Sequence, residues 1–249
     1  MNEGARVQVE ICVGDVESAI AAEIGGADRV ELCDNLAVGG TTPSAGAIEE
    51  ATTRLKIPVH VLIRPRGGDF CYSECERSVM RRDIELVKRI GAAGVVIGVL
   101  NRDSTIDCPL MAELFERARP LSITFHKAID QTPDLEESLE TLIDLGVDRI
   151  LTSGGRPTAL EGLETLTRLV DRAAGRIAIM AGGRLTLETL PTIIQKAGVR
   201  EVHLGSAVNR IMPDVLPAQP FDGSDKTWNQ ADAARVATVV SLVRRLALS

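Results

Sequence analysis

Eight short runs rich in β-branched residues alternate with stretches of helical spacing, and a chain that repeats strand and helix eight times has few ways to fold. The runs are VQVEICV (7–13), RVELC (29–33), PVHVLIRP (58–65), GVVIGVL (94–100), LSITFH (121–126), RILTSG (149–154), RIAIMAGG (176–183) and EVHLG (201–205). Between them, apolar residues recur at helical intervals over 16–24, 79–90, 135–145, 160–170 and 187–197. A weak repeat marks the helix-to-strand turns, as in Gly91-Ala92-Ala93-Gly94-Val95-Val96 and Gly198-Val199-Arg200-Glu201-Val202, where a glycine can take the left-handed conformation that ends a helix. Eight such units in 249 residues predict an α/β chain folded as one (β/α)8 TIM-like barrel, a single domain over 1–249. A doubly wound open sheet is the alternative.

The alternation of residues within the runs favours the barrel. Strands of an open parallel sheet are covered on both faces and tend to read as continuous apolar runs. Here Val7, Val9, Ile11 and Val13 alternate with Gln8, Glu10 and Cys12, and Val59, Val61 and Ile63 alternate with His60, Leu62 and Arg64. Because side chains in a strand alternate faces, Glu10, Cys12, Glu31, Cys33, His60, Arg64, His126 and His203 are expected to share an interior. The fourth and seventh runs are apolar or glycine on both parities and are expected to supply ordinary packing.

Composition excludes several function classes. A net charge of −7 with no lysine-arginine tract longer than a pair argues against nucleic acid or anionic membrane as a partner. No apolar stretch is long enough to span a bilayer and the first residues carry no secretory pattern, so a cytoplasmic protein is expected. Five cysteines are then expected to be reduced thiols. Residues 209–228, with three prolines, read as an irregular excursion before a closing helix, an oligomer interface being the other role for that excursion.

Two pairs of residues could hold chemistry on the first strands. Cys12 and Cys33 each end a strand two residues after a glutamate, and strands about 4.8 Å apart bring thiols within the reach of one metal. Soft thiolates in a reducing compartment suit Cu(I). Burial as small hydrophobes is the bland alternative. Glu10 and Glu31 need counter-ions in an apolar interior, and Arg64 is the obvious one. A carboxylate that escaped such pairing could act as a general acid or base, as could His126 at the end of the fifth strand. His60 and His203 read as satisfied core histidines.

The rim could hold an anion. Arg64 and Arg66 offer guanidinium forks, while Ser153, Gly154 and Gly155 after the sixth run and Gly182 and Gly183 after the seventh could present backbone N–H groups. Tight turns would need the same glycines. Cys71 and Cys75 share a loop at a spacing that chelates only if the loop is helical.

Several of these blocks together resemble a known family. Glu31-Leu32-Cys33, Gly39-Gly40-Thr41-Thr42-Pro43-Ser44, Pro58-Val59-His60-Val61 and Ile63-Arg64-Pro65-Arg66-Gly67-Gly68-Asp69-Phe70 are similar to the CutC copper-homeostasis family. Thr124-Phe125-His126, Leu151-Thr152-Ser153-Gly154-Gly155, Met180-Ala181-Gly182-Gly183 and Glu201-Val202-His203 continue the likeness over about residues 7–206. Lys127 departs from it, standing where an arginine usually follows the histidine. The resemblance implies a cytoplasmic, TIM-barrel-like homo-oligomer, a dimer or larger, associated with copper, with Cys12 and Cys33 as the metal-binding thiols.

Two functions are expected on these grounds. The first is a copper-homeostasis protein that binds Cu(I) through Cys12 and Cys33. The second is an enzyme acting on a small phosphate- or carboxylate-bearing metabolite, with Glu10, Glu31 or His126 moving the proton and the arginine and glycine rim holding the anion.

Overall fold

The eight runs pair in chain order, each parallel to the next, and the last closes on the first to make a barrel. The structure, a computed structural model, describes residues 6–213 and 227–246. The barrel strands are β1 (Gln8–Val13), β2 (Arg29–Leu32), β3 (Val59–Leu62), β4 (Gly94–Ile97), β5 (Ser122–Phe125), β6 (Arg149–Thr152), β7 (Ala178–Ala181) and β8 (Glu201–Leu204). The helices α1 (Val16–Ile24), α2 (Ala45–Arg54), α3 (Glu74–Ile90), α4 (Cys108–Ala118), α5 (Leu135–Asp144), α6 (Leu163–Ala173), α7 (Leu190–Ala197) and α8 (Ala233–Leu246) follow the strands one by one. A doubly wound open sheet is therefore excluded.

Local chemistry sets where the helices begin and end. Ser73 and Glu76 form a capping box at the start of α3, each side chain satisfying a backbone N–H that the helix leaves open. Asp15, Ser44, Asp107 and Asp134 cap α1, α2, α4 and α5 in the same sense, with side-chain oxygens accepting from backbone N–H groups. At the other end, Gly91 stops α3 at φ 90°, where any side chain would be strained.

The two strand parities form two different interiors. Val9, Ile11, Val30, Val61, Val95, Ile123, Ile150, Ile179 and Val202 are buried against the helices and make the aliphatic core. On the other parity, Glu10 stands opposite Arg29 on β2 and opposite His203 on β8, so charged residues meet inside the barrel. Leu62 and Val96 pack there with Cys33 and Cys12.

The glycines of β4 do more than the ordinary packing expected of them. A Cβ on Gly94 would come within 2.6 Å of His60 Nε2, and the Cα of Gly98 just beyond β4 lies so close to His126 that a Cβ there would meet the ring at 2.3 Å. Each glycine is a socket for an imidazole.

Residues 209–228 are not irregular throughout. Their ends form an antiparallel ribbon of β9 (Asn209–Pro213) and β10 (Thr227–Ala231), with Trp228 opposite Met212. The rest of the expected excursion, 214–226, lies outside the described residues. α8 follows the ribbon, burying Val236, Val239, Val240 and Val243.

Candidate metal centre

Cys12 and Cys33 meet at the mouth of the barrel, where β1 and β2 end. Their sulfurs are 3.8 Å apart, and with a carboxylate oxygen of Glu31 they form a group of donor atoms all within 4.8 Å of one another. Strand register explains the meeting. Cys12 stands opposite Glu31, and Cys33 follows Leu32, the partner of Val13, so the two thiols lie diagonally across one pair of strands. Cys33 is buried and Cys12 half-buried.

Below the thiols runs a chain of buried charges. His203 Nδ1 lies 2.7 Å from Glu10 Oε1, and His203 Nε2 lies 3.7 Å from Glu31 Oε2. The other oxygen of Glu10 accepts from Arg29 Nε. Arg29 in turn donates to Glu201 Oε2 at 2.7 Å, and Glu201 accepts from Arg149 Nε at 2.6 Å. The counter-ion of Glu10 is therefore Arg29, not Arg64. Nor is His203 a bystander in the core, since it joins Glu10 to the thiol group.

These neighbours sort the protons. Burial alone would raise the pKa of Glu10, but Arg29 and His203 outweigh it and hold the carboxyl well below its usual range. Burial, the Cys12 sulfur and Glu10 push Glu31 well above that range, outweighing His203. The contact with Cys33 holds the Cys12 thiol well below its usual value, with His203 adding to the effect against burial. The same contact and burial push Cys33 up. Despite its burial, His203 is raised well above its usual range by Cys12 and Glu10. Protons on Cys33 and Glu31 are those a cation would displace.

The donor set fits a soft ion. Two sulfurs that share one metal at about 2.3 Å lie at most about 4.6 Å apart, so this pair would embrace an ion at a bent angle, leaving room for Glu31 as a third donor. Cys75 is exposed on the first turn of α3 and Cys71 lies in the loop before it, and neither joins this group.

The rim residues expected to receive an anion are occupied from within. Arg64 donates to the carbonyls of Val38 at 3.0 Å, Gly40 at 2.7 Å and Gly68 at 2.9 Å, tying two rim loops together. Arg66 pairs with Glu76 at 2.6 Å and Asp69 at 3.0 Å. The N–H groups of Ser153 and Gly155 donate to the carboxylate of Asp130, that of Gly154 to Thr152 Oγ1, and that of Gly182 to the Thr152 carbonyl. Gly183 turns at φ 110° beside Ser153 and Lys127. Lys127 Nζ completes the shell of Asp130 at 2.6 Å.

His126 and His60 lie apart from the thiols. His126 accepts the N–H of Ala128 at Nδ1, so its proton is on Nε2, which has no acceptor, and its ring centroid is 4.8 Å from that of Phe70. Burial, with Arg64 adding to it, brings His126 down to about 3, and burial brings His60 to about 3 as well. His60 Nδ1 also lacks a partner, so it is a core histidine but not a satisfied one.

Sequence reasoning missed Arg29, Arg149, Glu201 and Asp130. Arg29 and Glu201 had a signal: Arg29 shares the parity of Glu31 and Cys33, and Glu201 that of His203. Asp130 had none, because it reaches its partners from a 3-10 turn after β5.

Comparison with known proteins follows this geometry. The model of the CutC family matches residues 7–208. A human protein named copper homeostasis protein cutC homolog is 48% identical over 202 residues, 81% of this chain and 74% of its own. A CutC family protein of Xanthomonas axonopodis pv. citri is 43% identical over 240 residues, 95% of this chain and 99% of its own. The crystal structure of the CutC protein of Streptococcus agalactiae superposes with a TM-score of 0.77 at 37% identity, covering 80% of this chain and 98% of that one.

Proposed function

This chain belongs to the CutC family, and from that premise we propose that it binds Cu(I) through the thiolates of Cys12 and Cys33 and serves copper homeostasis without chemical turnover. The observation that carries the reading is the 3.8 Å approach of the two sulfurs with Glu31 beside them. The human relative's name adds copper to a site whose own chemistry says soft metal. Glu10 and His203 are the supporting shell, holding charge and orientation beneath the donors. Reduced thiols suit a cytoplasmic setting: all five cysteines are free, and among the described residues no helix is long and apolar enough to cross a membrane.

The test is an anaerobic Cu(I) titration against a strong competing chelator, comparing wild type with the Cys12→Ser, Cys33→Ser double variant. One tight equivalent in the wild type, lost in the variant, is the expected result. Weak binding, or binding indifferent to the cysteines, would remove the reading.

A second reading, acid–base catalysis on a small carboxylate or phosphate, has one observation in its favour. His126 Nε2 and Arg64 Nε are buried donors with no acceptor among the described residues, and both side chains lie against Phe70. A thermal shift produced by such an anion in wild type and absent in His126→Ala would support it. No shift across a panel of anions would count against it.

A further inference from the structure

The thiol pair has the geometry of a second chemistry that needs no metal. Sulfurs 3.8 Å apart are in van der Waals contact, and a disulfide brings them to about 2.05 Å, an approach of roughly 1.8 Å. Both side chains must turn toward each other from their diagonal places on β1 and at the end of β2 to close it. The two thiols also differ in access: Cys12 is half-buried, whereas Cys33 is 2% exposed and lies behind it. That is the arrangement of a thiol open to attack and a thiol that resolves the product. Gly40 of the loop over them sits beside the pair: a Cβ there would stand 3.5 Å from Cys33 Sγ and meet Leu62 at 2.8 Å. Cys71, Cys75 and Cys108 belong to the loop after β3 and to the first turns of α3 and α4, outside the barrel.

We propose that Cys12 is an oxidation site for hydrogen peroxide and small hydroperoxides, with Cys33 as its resolving thiol, so that the pair cycles between dithiol and disulfide. The Cys12 thiolate attacks the near oxygen of the peroxide, the O–O bond breaks, and hydroxide (or an alkoxide on the mirror-image attack of a hydroperoxide's terminal oxygen) leaves and takes a proton. Sulfur is oxidised to the sulfenic acid and the peroxide is reduced. Cys33 then gives up its proton and attacks that sulfur, the S–O bond breaks, and the oxygen leaves as water. The sum is two thiols and one peroxide giving one disulfide and two waters, or one water and one alcohol. An external dithiol reverses it by two exchange steps. A disulfide offers no thiolate, so oxidation would also release a bound ion. This last consequence rests on the metal-binding reading above; the oxidation itself does not.

The experiment uses the full metal-free chain with Cys71, Cys75 and Cys108 replaced by serine, treated anaerobically with one equivalent of hydrogen peroxide. The expected product has lost both remaining thiols and the mass of two hydrogens, and dithiothreitol restores it. In the same background Cys33→Ser should stop at a sulfenic acid that dimedone labels. If the triple replacement fails to fold, peptide mapping of the oxidised wild type reads the Cys12–Cys33 link directly. Sulfinic acid in place of the link while Cys33 is present, or two thiols that stay titratable, would overturn the proposal. Cu(I) titration of both forms keeps the two readings apart. Affinity at least about a hundredfold weaker after oxidation supports both. A disulfide that forms in a chain whose reduced state binds no Cu(I) upholds the oxidation and sinks the metal reading.

Discussion

His203 Nδ1 lies 2.7 Å from Oε1 of Glu10, across the seam where β8 closes on β1. The contact fixes the imidazole so that its other nitrogen faces Glu31 and the thiols. His203→Gln keeps size and polarity but not the charge. The rate of iodoacetamide labelling at Cys12, followed against pH, is expected to have its midpoint at higher pH in this variant, because an imidazolium no longer favours the thiolate. An unmoved midpoint would mean that Cys33 alone sets the thiolate.

Arg29 is the one guanidinium shared by Glu10 and Glu201, and all three are buried. Arg29→Ala leaves Glu10 with His203 as its remaining ion-pair partner among the described residues, while Glu201 keeps Arg149. Loss of a partner from a buried ion pair costs about 3–5 kcal/mol, so a clear drop in the urea midpoint is expected. A variant as stable as wild type would show that water reaches the carboxylates.

Stability should fall as the solution is acidified. His60 and His126 are held at about 3 in the fold but titrate near 6.5 when unfolded, so between those values the unfolded chain binds the extra protons. Their contribution is present above 6.5 and is lost as pH falls toward 3. Glu31, raised in the fold, works in the opposite direction above its unfolded value, and His203, also raised, keeps its proton through this window. His126→Gln isolates one term: the slope of unfolding free energy between pH 4 and 6 should become shallower by up to about 1.4 kcal/mol per unit. Parallel slopes in wild type and variant would refute the neutral, buried imidazole.

Asp130 fills a nest of donors from Thr152, Ser153, Gly155 and Lys127. Asp130→Ala leaves those donors unmet at about 1–3 kcal/mol for a buried group, and opens a place for an external anion. The melting temperature of the variant is expected to drop and to recover in part with inorganic phosphate. Wild type should be indifferent to the same phosphate, and a variant equally indifferent would contradict the account.

The architecture was legible because β-branched runs and helical spacing alternate without interruption, and because parity separates Val9 and Ile11 from Glu10 and Cys12. The thiol pair followed from the same rule. Arg64 was misread because parity places a side chain on a face without saying how far it reaches. At the end of its strand the guanidinium found backbone carbonyls of the rim loops, while Arg29, two residues before Glu31, stayed among the carboxylates. The glycines of β4 were misread for the opposite reason: a missing side chain leaves no pattern of its own, and only the imidazoles seated against Gly94 and Gly98 reveal its use.

Asp130 gives the barrel entrance a handedness. With its own carboxylate the chain meets the N–H groups of Ser153 and Gly155 in the turn after β6. Across the mouth, over β1 and β2, Cys12 is half-buried. Under the functions proposed above, a ligand reaching that side would be chosen by softness or oxidising power more than by charge.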